Sequence, residues 1–158
     1  MSSRARAAAA GAAAATIWGL LEPLDRRLLH CDYSDVAVLG KAVTRGPAWR
    51  PLGFAMHAAN GAAFGIAFHE ACRRLTRTRS VTPTRLALGM ALAEHVALYP
   101  LAGLVDRYHP ARGEAGIPPL LTNPRAFAQA TWRHAVFGVA LGWLATAGFR
   151  LTRPRRRS

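Results

Sequence analysis

Four stretches of this chain are almost free of charge, and basic residues crowd the segments between them. Residues 7–21 carry none over 15 positions, and 52–68 none over 17 if His57 is neutral. Residues 86–105 hold one acid, Glu94, in 20 positions, and 126–149 hold one base, Arg133, in 24. A helix crossing a hydrocarbon core needs roughly 17–25 mostly apolar residues. The last two stretches meet that length. The second meets it with Pro51 and His69 at the interfaces, and the Ala-rich first meets it if Arg4 and Arg6 snorkel. A helix on the surface of a soluble bundle shows one apolar stripe and one charged face. Residues 86–105 and 136–149 are instead apolar nearly all round. The expectation is an all-α fold: an integral membrane four-helix bundle forming one domain over 1–158.

The ends of the helices are legible. Thr82-Pro83 and Asn123-Pro124 each place a capping side chain before a proline at the first helical position. Ser34-Asp35 predicts the start of a short helix through Val43. Val36, Leu39 and Val43 share one of its faces and Lys41 lies opposite, as in a helix resting on the outer leaflet. Pro100 removes one backbone hydrogen bond near Val96 and predicts a kink above Glu94 and His95. Trp49 and Trp132 are candidate interface anchors. The first stretch resembles a signal peptide in outline, but Trp18-Gly-Leu-Leu-Glu22 makes a poor cleavage site, so it is expected to be retained.

Two segments read alike. His57-Ala-Ala-Asn-Gly61-Ala-Ala63-Phe-Gly65 and His134-Ala-Val-Phe-Gly138-Val-Ala140-Leu-Gly142 share His, Ala, Gly, Ala and Gly at a spacing of 77, which also relates Pro47 to Pro124. Asp25-Arg26 and Asp106-Arg107 form a second match at a spacing of 81, so a gap is needed. The pattern predicts two repeated helix hairpins, about 5–72 and 83–150, in parallel orientation, followed by a basic tail over 151–158. In each half the Gly-x-x-x-Gly pair lets helix backbones approach closely.

Charge adds orientation. The net charge is +13, and Lys41 is the sole lysine against 20 arginines. With four spans, 12 basic residues fall on the side of the termini and 9 on the other. The positive-inside rule then places both termini in the cytoplasm of a multi-pass cell-membrane protein. The tail Arg153-Pro-Arg-Arg-Arg157 reads as a cluster facing anionic lipid. No aromatic or motif accompanies it, so nucleic acid is not an expected partner. Cys31 and Cys72 fall on opposite sides and cannot pair. Homo-oligomerisation stays open. The Arg and Ala bias fits a GC-rich bacterial coding sequence.

Polar residues at membrane depth are costly and usually face the bundle interior. Those expected to gather are His57 and Asn60 of the second span, Glu94, His95 and Tyr99 of the third, and His134 of the fourth, with Gln129 and Arg133 nearby. Glu94 is expected near the midplane and turned inward. This set is compatible with three chemistries. It is a ligand site or a set of interhelical hydrogen bonds; it is a haem or metal site with His57 and His134 as ligands; or it is a proton or small-solute path through Glu94 and the histidines. No nucleophile elbow, phosphate loop, Cys-x-x-Cys or dense histidine box is present to define an enzyme.

Overall fold

The computed structural model describes residues 2–75 and 81–151, with side chains up to Thr146. The described residues are all-helical: α1 (Ser3–Leu28), α2 (Asp35–Val43), α3 (Trp49–Leu75), α4 (Pro83–Leu98), a 3-10 turn (Tyr99–Leu101), α5 (Ala102–Tyr108) and α6 (Pro124–Leu151). Among them, pairing of the strand type is limited to one bridge between Tyr33 and Gly116. The basic tail from residue 152 onward, on which anionic lipid binding was expected, lies outside the described residues.

The boundaries follow local chemistry. Ser34 Oγ accepts from the Ala37 amide to start α2, and Thr82 Oγ1 from the Arg85 amide to start α4. Asn123 Oδ1 accepts from the Arg125 and Ala126 amides to start α6. Pro100 falls in the 3-10 turn, where its missing N–H breaks the helical ladder between α4 and α5. Pro23, by contrast, lies inside α1 without ending it.

Two helical segments are long and apolar enough to cross a membrane: Ser3–Leu28, with mean hydropathy 1.3, and Pro83–Tyr108, with 1.4. The first is therefore more extensive than the short run of 7–21 indicates, because the helix continues through Glu22, Pro23 and Asp25.

Packing is built on missing side chains. α3 runs antiparallel to α1, with Gly61 against Gly11 and Ala15, and Gly65 against Ala7. A Cβ on Gly61 would stand 2.5 Å from that of Ala15, so only glycine allows this approach. α6 runs antiparallel to α4 in the same manner, with Gly138 against Leu88 and Gly142 against Thr84. The two hairpins meet through α1 and α6, whereas α3 and α4 barely touch. The shared core lies where they meet, around Ala14, Trp18, Phe68, Ala87, Ala91, Phe137 and Leu141.

α2 forms where expected, and the face it turns inward is only partly the expected apolar one. Val36, Ala37 and Gly40 are buried, and Gly40 packs against the Trp49 carbonyl at the start of α3. Val43 stays exposed, and Lys41 reaches across to Glu114 and the Ala115 carbonyl. α2 meets α3 through Val36 against Gly53 and Gly40 against Trp49, so of the expected apolar face Val36 is buried while Val43 is not.

Candidate functional site

Between the barely touching α3 and α4 lies a cleft of about 350 Å³. Four of the six residues expected to gather from sequence line it: His57, Asn60, Glu94 and His134. Trp18 of α1 and Asp35 of α2 complete its polar lining, and Phe64 and Phe137 supply apolar walls. Gly61 also lines it, beside its close contact with α1.

The rings are arranged around Trp18. His57 meets the indole edge-on with centroids 4.6 Å apart, and His134 rests against it at 5.0 Å. His134 Nδ1 bonds the Ala130 carbonyl at 2.8 Å, and its Nε2 stands 3.4 Å from Glu94 Oε2. Glu94 thus pairs with His134 on the cleft.

His95 and Tyr99 lie elsewhere. His95 stacks on His134 at 4.7 Å but bonds Thr131 Oγ1 through its Nε2. Tyr99 donates its hydroxyl to the Leu120 carbonyl and packs against Phe127. Both pack against α6 residues instead of lining the cleft.

Two buried polar atoms on the cleft residues are unmatched. Trp18 Nε1 and His57 Nε2 have no hydrogen-bond partner, although Trp18 is 8% and His57 5% exposed. A buried polar group left without a partner costs about 1–3 kcal/mol, so native proteins rarely leave two together. Both atoms have under 1 Å² of accessible surface, so this unused capacity lies within the wall, beneath the open face of the cleft.

Beside the cleft sits a polar cluster that the charge pattern did not bring together. Arg133, 1% exposed, is held by Asp25 through Nε at 2.6 Å and Nη2 at 2.7 Å. Its Nη1 bonds Asp35 at 2.6 Å, and Nη2 also donates to the Tyr33 carbonyl at 2.9 Å. Glu22 stands 3.6 Å away and accepts from Ser34 Oγ and the Val36 amide. Gln129, one turn before Arg133, donates to Asp25 at 2.6 Å, and its Oε1 is unmatched. The guanidinium fork satisfies several acceptors at once, which an ammonium group would do less well. Burial alone would raise the Asp35 carboxyl. Arg133 outweighs that, helped by His57 and the Tyr33 hydroxyl, and holds it below the usual carboxylate range.

From sequence, Glu22, Asp25 and Asp35 fall among outer-loop acids and Arg133 among outer bases. The available signal is the spacing: Glu22 and Asp25 are three apart on α1, and Gln129 and Arg133 four apart on α6, at matching depth.

For metal chemistry, no group of three or more His, Cys, Asp or Glu side chains is placed to hold an ion among the described residues. His57 and His134 meet the same indole, and His134 has both nitrogens engaged. Cys31 and Cys72 form no disulfide with each other.

No protein-family model matches the chain, and neither a curated protein nor a solved structure matches it.

Proposed function

We propose that the chain is a four-span membrane protein made of two repeated helix hairpins, and that its lateral cleft binds a small polar ligand. The membrane reading is supported by what the surface exposes. Leu20, Leu24, Leu28, Val96, Leu98, Leu101, Leu104, Val139 and Trp143 are exposed. A soluble monomer rarely carries so extended an apolar surface. The two apolar segments, α1 and α4 through α5, contribute most of it. α3 and α6 join them as the remaining spans because each packs along its partner through glycines.

The duplication is supported by packing register. Ala7 against Gly65 corresponds to Thr84 against Gly142, and Gly11 against Gly61 to Leu88 against Gly138, each shifted by 77. The ring pair Trp18–His57 corresponds in the same way to His95–His134. Pro23 and Leu24 align with Pro100 and Leu101, after which Ala102–Val105 intervene before Asp106. That four-residue insertion reconciles the spacing of 77 with the 81 seen between the Asp-Arg pairs.

The observation that carries ligand binding is the gathering of Asp35, Asn60 and the Glu94–His134 pair on one open cleft, with the unmatched Trp18 Nε1 and His57 Nε2 directly beneath its surface. An indole N–H can only donate, and an imidazole nitrogen donates or accepts according to tautomer. The fitting ligand offers both capacities, as a hydroxyl or an amide does.

Single cysteines in a background with Cys31→Ala and Cys72→Ala test both halves of the reading. The positions are Arg27→Cys, Arg74→Cys and Asn60→Cys, treated in intact cells with a membrane-impermeant thiol reagent. Arg27→Cys and Asn60→Cys are expected to label, and Arg74→Cys only after permeabilisation. Equal access at 27 and 74 sinks the four-span arrangement. An Asn60→Cys that labels only after denaturation makes the cleft a dry seam and removes the ligand.

A further inference from the structure

A second cleft, of about 510 Å³, opens at the end of the bundle away from the termini, between the last turns of α1, α2 and the start of α3. Its apolar floor is formed by Leu20, Pro23 and Phe54, and its rim by Arg26, Lys41 and Arg50. Trp49 stands among these cations. Lys41 Nζ lies 5.4 Å and the Arg50 guanidinium 5.5 Å from its ring.

The charges on this rim do not balance. Arg26 pairs with Asp32. Lys41 and Arg45 share a single carboxylate, Glu114. Arg50 rests on Trp49 and has no carboxylate partner among the described residues. Glu22 also lines this cleft, but its oxygens accept from Ser34 and the Val36 amide and face the Arg133 cluster. With Glu22 counted, these groups are left with one positive charge in excess, and Arg50 is the cation without a carboxylate of its own.

The cleft is continuous with the apolar flank of α1. Leu20 is on its floor and 68% exposed, and Leu24, one turn on, is 54% exposed. A charged, tryptophan-bearing pocket directly above an exposed leucine flank matches an anionic amphiphile with its head in the pocket and its chain on the leucines. Guanidinium groups recognise phosphate oxygens through paired hydrogen bonds, and tryptophan settles at headgroup depth.

We infer that the Arg26–Lys41–Arg50 cleft binds the phosphate headgroup of an anionic phospholipid whose acyl chain lies along Leu20 and Leu24. The site rests on the membrane reading but is separate from the His57 cleft and from the basic tail.

The test uses the full chain. Carbonate extraction of membranes comes first: protein released to the supernatant overturns the membrane reading and the lipid with it. Protein retained in the pellet is purified in neutral detergent and titrated with phosphatidylglycerol, with phosphatidylcholine and inorganic phosphate as separate arms, and read by native mass spectrometry. Phosphatidylglycerol is expected to bind selectively, and Arg50→Gln to weaken it about fivefold, the effect of one basic residue near a lipid surface. Arg27→Gln, an exposed α1 arginine away from the cleft, is expected to leave binding unchanged. Thermal unfolding of both variants in detergent checks that they remain folded. Equal losses in Arg50→Gln and Arg27→Gln overturn the site and leave the membrane reading standing. Binding of inorganic phosphate as tightly as the lipid, with the same Arg50 dependence, overturns the lipid and makes the ligand a soluble phosphate.

Discussion

The two seams between the hairpins differ sharply, although in the proposed duplication they would be equivalents. α1 meets α6 along its length, with Trp18 against His134 and Phe137 and Asp25 clasping Arg133 and Gln129. α3 and α4 barely touch and leave the cleft between them. At a shift of 77 the counterparts of Gln129 and Arg133 are Leu52 and Met56, neither able to form an ion pair. On the other side, the inserted turn displaces the second aspartate. Asp106 accepts from the Leu120 and Leu121 amides and ties down a loop instead of clasping a neighbouring helix. Small-residue packing is thus common to both hairpins, while the buried ion cluster belongs to one seam. If the proposed four-span arrangement holds, apolar surface gives little drive for association in the bilayer, and that difference would decide which seam closes.

The largest effect should come from Arg133. Arg133→Leu leaves Asp25 and Asp35 buried without a cation, and losing one partner of a buried pair costs about 3–5 kcal/mol. Unfolding in detergent should reveal a loss of that size. A variant with near-normal stability would mean that the closed seam is held by apolar packing alone, and that charge does not distinguish the two seams.

Within the hairpins the two halves should behave alike. Gly61→Ala and Gly138→Ala each drive a methyl into the partner helix, 2.5 Å from the Ala15 Cβ and 2.7 Å from the Leu88 Cα respectively. Overpacking of this kind costs about 1–3 kcal/mol. Gly89 has open space where its Cβ would be, so Gly89→Ala should instead stabilise α4 by up to about 1 kcal/mol. Midpoints of thermal unfolding would rank the three. A neutral Gly138→Ala beside a damaging Gly61→Ala would argue against equivalent hairpins.

The smallest effect is confined to acid. Asp35 titrates below its unfolded value, so the unfolded chain takes up its proton first as pH falls. Its contribution is fully present above the unfolded pKa of about 3.9 and is lost as pH drops through the folded value. Unfolding midpoints from pH 7 to 3 should therefore be steeper at the acid end in the wild-type chain than in Asp35→Asn. Identical profiles would take Asp35 out of the closed seam.

Local chemistry was readable from the sequence; the pairing of seams was not. The caps at Ser34, Thr82 and Asn123 and the break at Pro100 depend on a few neighbouring residues, and each acts where its type predicts. His57, Asn60 and His134 could be brought toward one place because helical spacing puts each on its helix's polar face, with Glu94 on the edge beside the His95–Tyr99 face. The Arg133 cluster joins residues about a hundred positions apart. Seeing it requires knowing that α6 lies against α1 and not only against α4. Nothing local distinguishes Asp25, which pairs across helices, from Asp106, which anchors a loop. The inward face of α2 was hidden for a similar reason: Val36 and Gly40 meet α3 at Gly53 and Trp49, and Ala37 meets the loop at Gly116, contacts that amphipathic spacing alone does not reveal.

The alanines at the centre of the bundle have a thermodynamic consequence of their own. Ala14, Ala15, Ala87 and Ala91 are essentially fully buried where the hairpins meet. Alanine has no rotamers to lose, whereas a buried methionine or glutamine gives up about 1.5–2 kcal/mol of side-chain freedom. Docking one preformed hairpin on the other therefore freezes little beyond Trp18, Phe137 and the polar groups around Arg133. The alanine share of the contact adds almost no conformational entropy loss, which lets dispersion forces and one ion cluster hold the hairpins together.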